Sequence, residues 1–146
     1  MMQLPNHLHP AVAESLATWH DMIAARDLSR LATILHPDAM FRSPMAINPY
    51  KSADAVTLAL TTVITIFEDF AYHRQFVADG GLDVVLEFSA SVGGKLLKGA
   101  DFVRFDEEGK ILDLEVMIRP LISLQMLGEE MGKRLGHKLP GYKVKL

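Results

Sequence analysis

Apolar residues return every three or four positions through the first half of the chain and at every second position through most of the rest. Val12, Leu16, Trp19 and Ile23 fall at i, i+4, i+7 and i+11, one stripe of a first helix. Asp27 is placed to cap a short second helix carrying Leu28, Leu31, Ile34 and Leu35, and Pro37 ends it, because proline disfavours helical geometry in the residue before it. Ala39 to Ser43 reads as a strand and Pro44 to Tyr50 as a loop. A third helix begins near Ser52 with Val56, Leu60, Val63 and Phe67 at helical spacing. Thr61, Thr62 and Thr65 lower its intrinsic propensity, so packing must hold it.

From Phe70 the period changes to two. Segments near 70–78, 82–92, 95–105 and 110–119 are separated by Asp79-Gly80-Gly81, Gly93-Gly94 and Asp106 to Gly109, which predicts three hairpins and an antiparallel meander. Leu82, Val84, Leu86, Phe88, Ala90 and Val92 share one face, as do Leu112, Leu114, Val116 and Ile118. The strand from Phe70 has no assignable inner face, since Phe70, Tyr72 and Phe76 compete with Ala71, His73 and Val77. Leu124, Leu127, Met131 and Leu135 mark a closing helix over about 121–135. The expected fold class is α+β: one curved, mostly antiparallel sheet wrapped over three N-terminal helices, with an extra C-terminal helix. No linker or repeat divides the chain, so one domain is expected over 1–146, with its core at 11–120 and a tail at 136–146.

At 146 residues such a domain buries roughly 68–70% of the surface its unfolded chain exposes, enough for a core without staples. Cysteine is absent, which excludes disulfides and thiolate metal ligands and fits a reducing cytoplasm. Met1 to Pro10 carries no basic region followed by an apolar run, so no secretory leader is expected. No apolar stretch approaches the roughly 20 residues that span a bilayer. A formal charge of −3 without a basic face argues against nucleic acid, and the lysines of the stretch 137–146 read as a solvated end. His7 and His9 stand two apart and no histidine pair keeps i, i+4 spacing, so no metal site is expected. Gly80-Gly81 and Gly93-Gly94 lie between strands and open no helix, so no nucleotide cofactor is expected either.

One acid stands out. Asp101 opens the apolar run Asp101-Phe102-Val103-Arg104-Phe105, and its parity turns it to the same side as Val103 and Phe105. A carboxyl among such neighbours loses hydration and prefers to be protonated, which makes it a hydrogen-bond donor. The bland alternative is a margin acid paired with a cation such as Lys98.

The order of elements, ending in Gly99-Ala100-Asp101-Phe102-Val103-Arg104-Phe105-Asp106-Glu107-Glu108-Gly109-Lys110-Ile111, resembles the nuclear transport factor 2-like superfamily, and within it the SnoaL-like branch. The ending Val116-Met117-Ile118-Arg119-Pro120-Leu121 is similar to an uncharacterised bacterial subgroup of that branch. The resemblance implies a conical pocket between sheet and helices. Relatives use it as ketosteroid isomerases, dehydratases, epoxide hydrolases and polyketide cyclases, or only to bind partners. Against ketosteroid isomerase it implies that Asp101 matches the protonated oxyanion-hole aspartate, that Trp19 stands where the tyrosine would be, and that Ser43 stands at the general base. A serine without a partnering histidine does not remove a carbon-bound proton, so the isomerase's own arrangement is incomplete here.

The expected pocket therefore holds Asp101, Trp19 and Ser43 within an apolar lining of Ile23, Phe41, Leu60, Val63, Phe67, Val103, Phe105, Leu114, Val116 and Ile118. That suits a small apolar molecule with one carbonyl or hydroxyl. His20, beside Trp19, and His73 are the substitutes for the missing base, since either titrates near neutrality. Two functions are open: a cofactor-free isomerase, cyclase, dehydratase or hydrolase or a simple binder, and a non-catalytic dimeric interaction module with a filled cavity. A homodimer through the outer sheet face, with Val85, Phe102 and Met117 among Glu87, Arg104, Glu115 and Arg119, is expected in either case.

Overall fold

The computed structural model describes residues 3–138. Helix α1 (Pro10–Ala25) starts where Pro10 can occupy the first turn without losing a bond, and His9 caps it by accepting from the Ala11 amide. It ends at Arg26, whose left-handed backbone returns an amide to Ile23 and Met22. The Arg26 guanidinium donates to the carbonyls of Phe67 and Ile64, binding this end of α1 to the end of the next helix.

The expected second helix is a single 3-10 turn, Leu31–Thr33. Asp27 does not cap it: its carboxylate accepts from the Ser29 amide in a local turn, and the 3-10 turn starts at Arg30 with no side-chain cap. The Ile111 amide donates to the Ile34 carbonyl at 2.7 Å, and Leu35, expected in the helix, opens strand β1 (Leu35–Arg42) in a parallel ladder with a later strand. Two α-helices and one turn therefore precede the meander, not three helices. Pro37 is tolerated in β1 because the ladder breaks between Leu35 and Met40, where no amide is required. A short strand unforeseen from the pattern, β2 (Tyr50–Lys51), pairs antiparallel with β1.

Helix α2 (Ala53–Ile66), capped by Ser52, leads into β3 (Glu68–Val77), β4 (Asp83–Val92), β5 (Lys95–Phe105) and β6 (Ile111–Arg119), and α3 (Leu121–Leu135) closes the chain. The six strands run in the order β2-β1-β6-β5-β4-β3, so β2 and β3 are free edges and the sheet does not close into a full barrel. All pairs are antiparallel except β1 with β6. The alternation in β4 is as expected: Val84, Leu86, Phe88, Ala90 and Val92 are buried. In β6 a shift between Arg104 and Phe105 pairs Phe105 with Ile111, so Ile111, not Leu112, is the buried residue there. The tail from residue 139 onward lies outside the described residues. Among the described residues no helix is long and apolar enough to cross a membrane.

Candidate functional site

The sheet's inner face, the second half of α1, α2 and α3 enclose a cavity of about 540 Å³, within the range of small-molecule sites. Of the expected lining, Trp19, Ile23, Phe41, Leu60, Val63, Phe67, Val116, Ile118 and Asp101 are on its wall, and so is His20. Val103, Phe105 and Leu114 are not; they are buried in the core. The reason is position along the strands. The β5–β6 turn packs on the start of α1, where a side chain at Gly109 would strike the Ala11 carbonyl and Ser15, so the cone is solid at that end and hollow toward Trp19.

Ser43 is likewise buried but absent from the cavity wall; its hydroxyl accepts from the Met45 amide and shapes the turn after β1. His73 points outward and hydrogen-bonds Ser89 at 2.7 Å. Two irregularities in β3, between Glu68 and Ala71 and between Tyr72 and Gln75, change the facing side within one strand. They place Phe70 and Tyr72 on the cavity and leave Phe76 exposed. The sequence pattern was ambiguous here because the strand itself changes parity.

Asp101 lies in the middle of the sheet, opposite Leu86 on one side and Val116 on the other, and only 7% of it is exposed. The margin-acid alternative does not hold: Lys98 pairs with Glu87 on the outer face. The Tyr72 hydroxyl donates to Asp101 Oδ2 at 3.0 Å and accepts from Trp19 Nε1 at 2.9 Å. Tyr72 was missed from the sequence. Its strand lies two places from β5, about 10 Å away backbone to backbone, a gap that a side chain as long as tyrosine bridges. Trp19 therefore offers a ring wall, and its one donor is already engaged.

Burial drives the electrostatics. It pushes the Asp101 carboxyl up from 3.8 to about 7, with the Tyr72 hydrogen bond opposing, so near neutrality the group shares its time between acid and carboxylate. Tyr72 is pushed well above its ordinary value, by burial first and then by the Asp101 charge, and stays protonated. On the outer face of the neighbouring strand the opposite holds, since the Arg74 hydrogen bond draws Glu87 down to about 2. Asp101 Oδ1 has no donor among the described residues.

Aromatic packing holds the donor wall in place. Phe88, Phe70 and Phe67 form a triangle of rings, with Phe88 5.1 and 5.9 Å from the other two, and Phe70 meets Tyr72 edge-on at 4.9 Å. Gly99, opposite Phe88 in the ladder, leaves room for that ring; a Cβ there would come within 2.4 Å of Phe88 Cζ. Met45, Leu127 and Met131 complete the mouth side, and none was foreseen, because the pattern of a loop or closing helix does not say which hollow it covers. Among the described residues no group of three or more His, Asp and Glu side chains is placed to hold a metal ion.

Comparisons with known proteins agree with this architecture. The SnoaL-like domain matches residues 16–114. A steroid delta-isomerase from Pseudomonas aeruginosa is 57% identical, with a TM-score of 0.88 over 94% of this chain and 99% of that one. An uncharacterised bacterial protein with a cystatin-like fold from Silicibacter pomeroyi is 28% identical, with a TM-score of 0.80 over 91% and 90% of the two chains. An NTF2-like protein of unknown function from Mesorhizobium loti shares the fold at 14% identity, with a TM-score of 0.68 over 82% of this chain and all of that one. No curated protein matches. With a domain match across more than half its length, the chain belongs to the SnoaL-like family, and it shares its fold with a nuclear transport factor 2-like protein.

Proposed function

We propose that this protein binds a small apolar ketone in the cone cavity and isomerises it, Asp101 donating a hydrogen bond to the oxygen on which negative charge develops. The observation that carries the reading is the Trp19–Tyr72–Asp101 chain on the wall of an otherwise apolar hollow. A protonated carboxyl there, held by a hydroxyl that is itself held by an indole, is a preorganised donor in a dry site, where such a donor stabilises an enolate far more than water does. The 57%-identical protein bearing the name steroid delta-isomerase supports both the rigid polycyclic shape of the substrate and the migration of a double bond. Shifting a double bond moves one proton between two carbons and needs no further reactant. An open cavity and a buried Asp101 weigh against the filled-cavity interaction module.

A saturated 3-ketosteroid, which binds without reacting, tests the donor role. Asp101→Asn keeps a donor and is expected to hold the dissociation constant within about fivefold, whereas Asp101→Leu raises it about 10- to 100-fold, the worth of a lost hydrogen bond to a buried group. Wild-type affinity is expected to weaken as pH rises through about 7 and the acid proton is lost. Equal affinity of the two variants would show the acid to be structural.

The same reading pairs two chains through the outer sheet face, where Phe76, Phe102 and Met117 are 50%, 38% and 52% exposed among Arg104, Glu115 and Arg119. Sedimentation at micromolar concentration is expected to give a two-chain particle, and Phe102→Glu a single chain. A wild-type monomer would remove the pairing.

A further inference from the structure

The isomerase arrangement lacks its usual base, because Ser43 stands at that place and does not reach the cavity. His20 does reach it. Its ring packs edge-on against Tyr72, with centroids 5.1 Å apart, on the same wall as the donor. Its Nε2 lies 2.8 Å from Gln75 Oε1, and the Gln75 amide nitrogen donates to the Gln3 carbonyl at 3.0 Å. These bonds determine the tautomer. A carbonyl only accepts, so Gln3 turns the NH₂ of Gln75 toward itself and the oxygen toward His20; that oxygen also only accepts, so Nε2 must carry the proton. Nδ1 is left with a lone pair and no donor among the described residues.

We propose that His20 is the proton-transferring base of this site and that Gln75 is its positioning residue, the N-terminal segment at Gln3 locking both. The inference rests on the cavity being a ketone site, as proposed above. Nδ1 takes a proton from the carbon between the carbonyl and the double bond. The C–H electron pair becomes the enolate double bond, and the carbonyl π pair moves to oxygen, where Asp101 donates. The imidazolium then returns the proton to the far carbon of the original double bond, the enolate electrons restore the carbonyl, and the new double bond is conjugated with it. One proton leaves and one arrives, with no change of oxidation state.

The surroundings agree with a neutral base. Burial lowers the basicity of His20, opposed by the Gln75 bond and by Asp21 on its own helix, and the groups facing it from β3 are Tyr72 and Gln75, with Asp101 behind Tyr72. The rate is then expected to rise with pH as His20 loses its proton and to fall above about 7 as Asp101 loses its own.

The test uses two probes on the full chain: a β,γ-unsaturated 3-ketosteroid, followed by the absorbance of its conjugated product, and the saturated ketone for binding. His20→Gln keeps a donor for Gln75 but has no base; kcat is expected to fall at least 100-fold while saturated-ketone affinity stays within about twofold. Gln75→Glu places a carboxylate on Nε2 and is expected to move the rising limb of the pH profile upward; Gln75→Leu, which frees the tautomer, lowers kcat and leaves KM in place. Turnover by His20→Gln at the wild-type rate, or a pH profile unmoved in Gln75→Glu, overturns the inference. A wild-type protein that binds the ketone and never isomerises it also overturns it and leaves the binding reading standing, whereas failure to bind at all sinks both.

Discussion

Asp101→Asn is expected to stabilise the protein by about 2–4 kcal/mol at pH 8 and by almost nothing at pH 4. The acid ionises at 3.8 in the unfolded chain and at about 7 in the folded one, because burial disfavours its charge. A folded value above the unfolded one means that the group opposes folding only where the unfolded chain would lose the proton. Its contribution is therefore most favourable below pH 3.8, is lost progressively as pH climbs to about 7, and is constant beyond. The gap corresponds to roughly 4 kcal/mol at full extent. Asparagine is the same size, still accepts from Tyr72 and never ionises, so it escapes the penalty; its own NH₂, facing an apolar wall, returns part of the gain. Urea unfolding of both proteins at pH 4, 6 and 8 reads the difference directly, and comparing variants at each pH cancels every other titrating group. A stability difference that is flat from pH 4 to 8 would show that the carboxyl is not desolvated.

Tyr72→Phe is expected to cost about 2–4 kcal/mol at pH 7, from two buried groups orphaned by the loss of one oxygen. Trp19 Nε1 loses its acceptor and Asp101 Oδ2 its donor, and phenylalanine leaves the ring packing against Phe70, Phe88 and His20 intact, which isolates the hydrogen bonds. A second consequence distinguishes this variant from a generic core mutation. The Tyr72 bond is what favours the Asp101 carboxylate, so its removal raises the carboxyl further above about 7, and the loss of stability with pH extends to more alkaline values. Carbon-13 NMR of the labelled carboxyl, with the unfolding midpoint as a second measure, checks both. An unchanged titration of Asp101 would mean that the Tyr72 hydroxyl belongs to Trp19 alone. For ligand binding the variant is expected to keep Asp101 a donor to a ligand carbonyl up to higher pH, since the acid keeps its proton longer.

Much of the architecture was legible because it depends on periodicity. The stripe Val12, Leu16, Trp19 in α1, the alternation of Val84 to Val92 in β4, and the glycine pairs at the hairpins each answer to a local rule that the fold obeys. Legibility failed where a partner distant in the chain competes with a local preference. Leu35 reads as helix until the Ile111 amide claims the preceding carbonyl; Leu112 reads as inward until the ladder shifts beside Phe105. The site shows the same division. The side on which Asp101 lies follows from parity alone, but Val103, Phe105 and Leu114, with the same parity, are core, because the pattern carries no information about how far along a strand the hollow extends. His20 and His73 looked equivalent as bases, but His73 alternates with the inward Tyr72 and so points outward, while α1 carries His20 onto the cavity wall.

What the residues determined by themselves is therefore helices α1, α2 and α3, the strands of the meander, the buried face of β4 and an acid aimed inward, all consequences of hydrophobic spacing and of the two side-chain periods. What only the tertiary structure decided is the company that acid keeps. Tyr72 arrives from two strands away and Trp19 from the first helix, Gln75 and Gln3 impose one tautomer on His20, and a hollow remains between them. The reason is range: an amphipathic pattern is read between neighbours in the chain, whereas a hydrogen-bond chain and a cavity depend on groups 29 to 72 positions apart whose meeting depends on register, and one irregularity in β3 is enough to change it.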